Sequence, residues 1–290
     1  MPVLLFQCAI SGRLLSISET NRSQFWTRPA TVVPFDSRST MLMELLRKIL
    51  YLNRLAKWDI KPFDAWLFAC FVFLGSFLLS SLFVSAYSFL SGAEQDFESL
   101  PLVLASGFGL QLSSILAWYL FKQIAIYEVR DQPVGWLAAA KVGAIGFACV
   151  YLALMPTMLI WRLFLDTIGI EYEFQLPVLL VQNGGSPVEM ALMICLIVIV
   201  APICEELVYR GFLFRYLNHR LPRGLSILVP SLIFALMHLN LYSFMPLLVL
   251  SIALCIVYRA SGNLVSSVTV HALFDLVNVL MIYLIEPIEL

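Results

Sequence analysis

The chain is expected to fold as an all-α bundle of about seven transmembrane helices. Three observations predict this. Of its 290 residues, 61% are hydrophobic and only 13% charged, against roughly 25% charged in an ordinary soluble domain. Several apolar runs reach the length of about 20 residues that a helix needs to cross a bilayer. Most ionisable side chains are confined to the flanks of those runs. The lipid bilayer is therefore the first partner. A net charge of −1 with no dense basic block excludes nucleic acid.

Residues 1–40 differ from the rest: four arginines, many Ser and Thr, and two acids, Glu19 and Asp36. The stretch reads as a targeting segment, as a tail, or as an overlong start, since Met41 and Met43 open a plausible shorter protein. Residues 41–57 read as a basic amphipathic helix, with Leu45, Leu46, Ile49, Leu50 and Leu52 among Arg47, Lys48, Arg54 and Lys57. That pattern suits an anionic leaflet surface and sets off residues 41–60 as an interfacial segment.

Hydrophobic spans are expected at about 66–90, 101–127 and 134–165, the third with Pro156 as a kink site. Acidic loops follow the first span (Glu94, Asp96, Glu98) and the third (Asp166, Glu171, Glu173). Residues 175–186 read as an interfacial loop. Pro187 then suits the first turn of a long fourth span that continues through Pro202 to about His219. Shorter apolar segments follow at 224–239, 243–259 and 263–285. No Gly/Ser-rich linker divides 61–183 from 184–290, so the two groups of helices read as one membrane domain.

Orientation follows from charge. Arg54, Lys57 and Lys61 precede the first span; Arg215, Arg220 and Arg223 follow the fourth; Arg259 follows the sixth. Seven spans with a cytoplasmic N-terminus place all of them inside, as in a multi-pass protein of a plasma or inner membrane. The six cysteines form no CxxC pair, and five lie in apolar runs. They read as small buried residues, with neither disulfides nor a zinc finger.

Ionisable residues within a span are costly and are functional candidates. Here they are Glu205 and Glu206 on the fourth span, His238 on the fifth, and His271 with Asp275 on the seventh. Counting from Arg215, Gly224 and Asn263, Glu205, His238 and His271 lie roughly 15, 21 and 12 Å into the core at 1.5 Å per residue. One wet cavity between the inner edge and the bilayer middle would hold all three. Glu206 and Arg210 are four apart with the acid first, the favourable order for a helical ion pair. Such a pair alone is ordinary structural glue, and a lone membrane histidine is ordinary packing. Glu-Glu, His and His-x-x-x-Asp at one depth are harder to dismiss. Glu205 points away from Arg210, beside Tyr209. A carboxyl without a cation suits a general base that takes and returns protons. His271, Asp275 and Asn278 share a face, so Asp275 and Asn278 are candidates to orient the imidazole or to bind a developing oxyanion.

Ala201-Pro202-Ile203-Cys204-Glu205-Glu206-Leu207-Val208-Tyr209-Arg210-Gly211 resembles the EExxxR signature of the CPBP family, the CAAX-processing and bacteriocin-processing intramembrane proteases also called Abi. Phe234-Ala235-Leu236-Met237-His238 resembles its FxxxH signature, and His271-Ala272-Leu273-Phe274-Asp275 its HxxxN or HxxxD signature. The stretch from Tyr258 to Leu264 is similar to the family's turn before the last core helix. The resemblance covers about residues 184–280 and implies a CPBP-like catalytic core there. It implies an endopeptidase whose substrate is a membrane-associated or lipidated peptide or protein. It also implies that Glu205 and His238 activate water while His271 and Asp275 stabilise the oxyanion. Tyr209 replaces the family's usual phenylalanine, and Asp275 stands where asparagine is common. An ionised aspartate repels an oxyanion, so Asp275 has to be protonated or act through His271, with Asn278 as a substitute donor.

Two water-activating arrangements stay open. Glu205, His238 and His271 supply three ligands and an open position, as catalytic zinc prefers, with Glu206 then competing for the base role. Alternatively Glu205 and His238 polarise water directly. The sequence has no HExxH and no GxSG, which sets aside a zincin and a rhomboid-type serine protease. A non-catalytic immunity or scaffold protein would use the same polar core as glue. An ion-coupled transporter is disfavoured because the first half holds no second copy of the cluster.

Overall fold

A computed structural model describes residues 52–55, 60–92, 98–124, 133–170 and 175–284. The expected tail at 1–40, most of the basic segment at 41–60, and the acids Glu94, Asp96, Glu171 and Glu173 lie outside the described residues. Among the described residues all regular structure is helical: α1 (Pro62–Ser91), α2 (Leu100–Ile124), α3 (Trp136–Thr167), α4 (Leu176–Asn183), α5 (Pro187–Leu217), α6 (Arg223–Met237), α7 (Leu241–Ser261) and α8 (Leu264–Leu284).

Seven of these helices stand where the apolar runs predicted spans. Six are long and apolar enough to cross a membrane; α6, with 15 residues, is the exception. At 1.5 Å per residue it extends about 22 Å, short of a hydrocarbon core about 30 Å thick. His238 is the residue on which it ends.

Two expectations need correction. Residues 175–186 are not a loop throughout: α4 occupies Leu176–Asn183, with Pro177 in its first turn and Gly184, at φ 74°, past its end. That Pro-first, Gly-last pattern is a helix signal, and burial of Leu180 and Val181 against Leu100, Met193 and Leu196 fixes it. Residues 52–55, assigned to an amphipathic helix, are not helical. The Arg54 amide bonds the Arg259 carbonyl at 3.0 Å instead, and Leu55 is buried with Phe214, Cys255 and Tyr258.

The core that matters for function lies among α3, α6, α7 and α8. Val150 and Leu154 of α3 meet Phe234 and Ala235 of α6, Leu247, Leu250 and Leu254 of α7, and Val270 and Phe274 of α8. The α3–α8 contact is close because Gly143 has no side chain. A Cβ there would stand 2.5 Å from the Ser266 carbonyl oxygen and 2.7 Å from Thr269 Cβ. Pro156 lies inside α3, which continues through it to Thr167. At the opposite end of α7, Gly262 adopts φ 69° and closes the helix, its amide bonding the Tyr258 carbonyl. Asn263 Nδ2 then bonds the Val134 carbonyl at 3.0 Å, tying the start of α3 to the turn before α8. Among the cysteines described, all five are free.

Candidate active site

The two glutamates sit on a six-residue α-helical segment of α5, Ala201–Glu206, bracketed by wider π-helical turns at Leu196–Val200 and Leu207–Phe214. The first has a cause in the sequence. Pro202 has no N–H and its ring crowds the carbonyl four residues back; the wider turn relieves this, with the Ala201 amide reaching the Leu196 carbonyl. Such turns are common at functional sites. The helix start is firm: Ser186 and Glu189 form a reciprocal capping box ahead of Pro187.

Glu206 and Arg210 make the expected pair. Arg210 Nη1 donates to Glu206 Oε1 at 2.7 Å, with side-chain exposures of 1% and 0%. Two desolvated charges are tolerable only when further hydrogen bonds satisfy them. The guanidinium finds these on α7: Nη2 donates to Ser251 Oγ at 2.5 Å and to the Ser251 carbonyl at 3.3 Å. Its Cζ also lies 4.6 Å from the ring centroid of Phe234, a cation–π contact.

His271 of α8 completes the arrangement. Its Nδ1 is 3.0 Å from Glu206 Oε1. A carboxylate paired to arginine only accepts, so Nδ1 is the donor. Nε2 is thereby turned toward Asp275 Oδ2, 3.6 Å away, and Glu205 Oε2, 3.9 Å away. Both lie beyond direct hydrogen-bond range. Glu205 Oε2 has no hydrogen-bond partner although its side chain is 25% exposed. The imidazole is thus oriented by Glu206, a role the sequence pattern had offered to Asp275 or Asn278. Asn278 is half-buried and makes no hydrogen bond to the cluster.

His238 approaches from the end of α6. Its Nδ1 lies 2.8 Å from the Phe234 carbonyl. A carbonyl accepts only, so Nδ1 donates and the outward Nε2 carries the lone pair in the neutral ring. The next residue, Leu239, takes φ 50°. For a leucine this left-handed conformation costs about 1–2 kcal/mol. The start of α7 holds it in place, where Asn240 Oδ1 caps the helix by accepting from the Ser243 amide at 2.9 Å.

One ring links the two histidines. Phe234 is fully buried, 4.8 Å from His238, edge-on to His271 at 5.6 Å and edge-on to Tyr209 at 5.0 Å between ring centres. Four helices, α5 to α8, therefore meet at this point. Glu205, Glu206, Arg210, His271 and Asp275 form one contiguous group, and His238 joins it through Phe234.

Ser251 and the positional role of Phe234 were not anticipated. A serine alone in the apolar run of α7 was the available signal, because a buried hydroxyl requires a partner. Which partner it meets depends on how α7 packs on α5.

Glu205, His238 and His271 are the expected zinc ligands. Among the described residues no three His, Cys, Asp or Glu side chains are grouped to hold a metal ion. Both histidines use Nδ1, one toward Glu206 and one toward a backbone carbonyl, which leaves each Nε2 available.

Residues 187–277 match the family model described as type II CAAX prenyl endopeptidase Rce1-like. The C-terminal half carries an Rce1-like domain. The matched stretch is consistent with the CPBP family and contains Glu205, Glu206, Arg210, Phe234, His238, Ser251, His271 and Asp275; Asn278 falls just outside. It supports a protease and a membrane-embedded chain. An uncharacterized protein of Mycoplasma capricolum subsp. capricolum is 32% identical over 106 residues, 35% of this chain. The match spans 31% of that protein's length. No solved structure matches the chain.

Proposed function

We propose that this chain is an intramembrane endopeptidase that hydrolyses a peptide bond of a membrane-associated, lipidated substrate. Glu205 is the general base, and the observation that carries the reading is its Oε2, which makes no hydrogen bond, beside an Arg210–Glu206–His271 chain joined through Glu206 Oε1. Glu206 is occupied by its arginine and histidine, so Glu205 is the carboxylate left available for water.

Glu205 takes a proton from water as the water oxygen bonds the scissile carbonyl carbon, and the carbonyl electron pair moves to oxygen. His238, with its Nε2 lone pair outward, accepts a hydrogen bond from the same water and orients it. His271 as imidazolium presents Nε2–H to the developing oxyanion, with Asp275 positioned alongside to hold that proton donor. Collapse of the tetrahedral intermediate breaks the C–N bond, and the proton on Glu205 passes to the leaving amine. The match of residues 187–277 to the Rce1-like model supports both the reaction class and a lipidated substrate. The N-terminal side faces the cytoplasm of a plasma or inner membrane, supported by the arginines and lysines at that edge.

The test uses purified protein in proteoliposomes with a farnesylated, membrane-tethered peptide. Wild type is expected to cleave it. Glu205→Gln and His238→Ala are each expected to lower turnover by about 10²–10⁴-fold, with unchanged helicity and monodispersity. Undiminished turnover in both variants would sink this site.

A further inference from the structure

Arg210 is buried among apolar side chains, and its guanidinium has few partners. Nη1 is bonded to Glu206, Nη2 to Ser251, and Nε has no hydrogen-bond partner. Ser251 belongs to α7, a helix that contributes no carboxylate or imidazole to the cluster, and it is itself fully buried. Without its Oγ, Nη2 would lose its shortest bond, leaving the 3.3 Å bond to the Ser251 carbonyl and the weakly accepting Cys255 thiol nearby. The guanidinium could then pivot about its bond to Glu206. That motion would not stop at Arg210. Glu206 Oε1 is shared between Arg210 and His271 Nδ1, and the rest of the carboxylate meets only the Ser267 hydroxyl. The orientation of the carboxylate therefore follows the guanidinium, and the imidazole follows the carboxylate.

We propose that Ser251 is a positioning residue of the reaction: by locking Arg210 it makes Glu206 hold His271 as the Nδ1–H donor, with Nε2 facing Glu205 and Asp275. Its kinetic consequence rests on the proposed hydrolase activity; its effect on the His271 tautomer does not. A serine that merely glued α7 to α5 would alter stability and leave the imidazole unchanged, which gives the experiment its discrimination.

The chain has three histidines, so histidine-only ¹⁵N labelling of the full chain in nanodiscs yields a short spectrum. His271 is assigned by loss of its signals in His271→Asn. In wild type, at a pH high enough to deprotonate the imidazolium, it is expected to keep its proton on Nδ1. In Ser251→Ala that signal is expected to give way to a mixture of tautomers, while kcat falls about 10- to 100-fold, the scale of a small misplacement of a catalytic group. KM should be little changed, because Ser251 does not touch substrate. Ser251→Thr, which keeps the hydroxyl, should restore both the spectrum and kcat. Where the alanine variant gives no monodisperse protein, Ser251→Cys retains volume with a much weaker acceptor and takes its place. A His271 spectrum unchanged by loss of the hydroxyl overturns the proposal, as does a rise in KM alone. Absence of cleavage by wild type would instead count against the hydrolase activity, and the spectra would still decide whether Ser251 governs His271.

Discussion

Removing the Arg210 guanidinium should be among the most destabilising single changes in the protein. In Arg210→Met the apolar stem is kept and the charge lost. Glu206, with a side-chain exposure of 0%, would retain His271 Nδ1 and the Ser267 hydroxyl but no compensating cation on its own helix. Breaking a buried ion pair from one side costs about 3–5 kcal/mol, because a charge is left uncompensated. The cation–π contact with Phe234 at 4.6 Å is lost as well. Most of the penalty should disappear when the remaining charge is also removed. In Glu206→Gln with Arg210→Met, the glutamine carbonyl still accepts from His271, and about 2 kcal/mol should be recovered relative to the single variant. Reversible unfolding by SDS in mixed micelles, read by the fluorescence of the six tryptophans, measures all four corners of the cycle. A single variant within about 1 kcal/mol of wild type, or strictly additive substitutions, would refute the picture of a desolvated, mutually dependent pair.

Two further outcomes are expected. Gly143→Ala should cost about 1–3 kcal/mol and slow cleavage, because its Cβ would press on Ser266 and Thr269 and shift the helix carrying His271. Gly135→Ala, where a Cβ meets nothing within 4 Å, is the control and should leave the thermal midpoint and turnover unaltered. Ser186→Ala removes the hydroxyl of the capping box and should lower stability by about 1 kcal/mol with no change in kcat, since the cap lies several turns from Glu205 at about 3.6 residues per turn; a loss of turnover without loss of stability would contradict this.

The amino-acid sequence by itself determined the class of the protein and the location of its long apolar helices. Bilayer physics makes that possible: long uncharged runs can satisfy their backbone groups only as helices. It also singled out Glu205, Glu206, Arg210, His238, His271 and Asp275, because ionisable groups are rare where water is scarce. The Glu206–Arg210 pair was legible for the same reason that i,i+4 neighbours share a helix face.

What the linear pattern did not contain was the partner of each side chain across helices. Spacing offered Asp275 and Asn278 to orient His271; packing of α8 on α5 gave that task to Glu206, at 3.0 Å, and left Asn278 apart. Ser251 looks like one polar residue in an apolar run until α7 brings it to Arg210. His238 could be placed by depth, but the ring that connects it to His271 is Phe234, whose neighbours come from separate helices. Periodicity fixes which residues share one helix face, a local property. Which faces meet is decided by close packing, as where the bare backbone at Gly143 lies against Ser266, and that depends on the whole bundle at once.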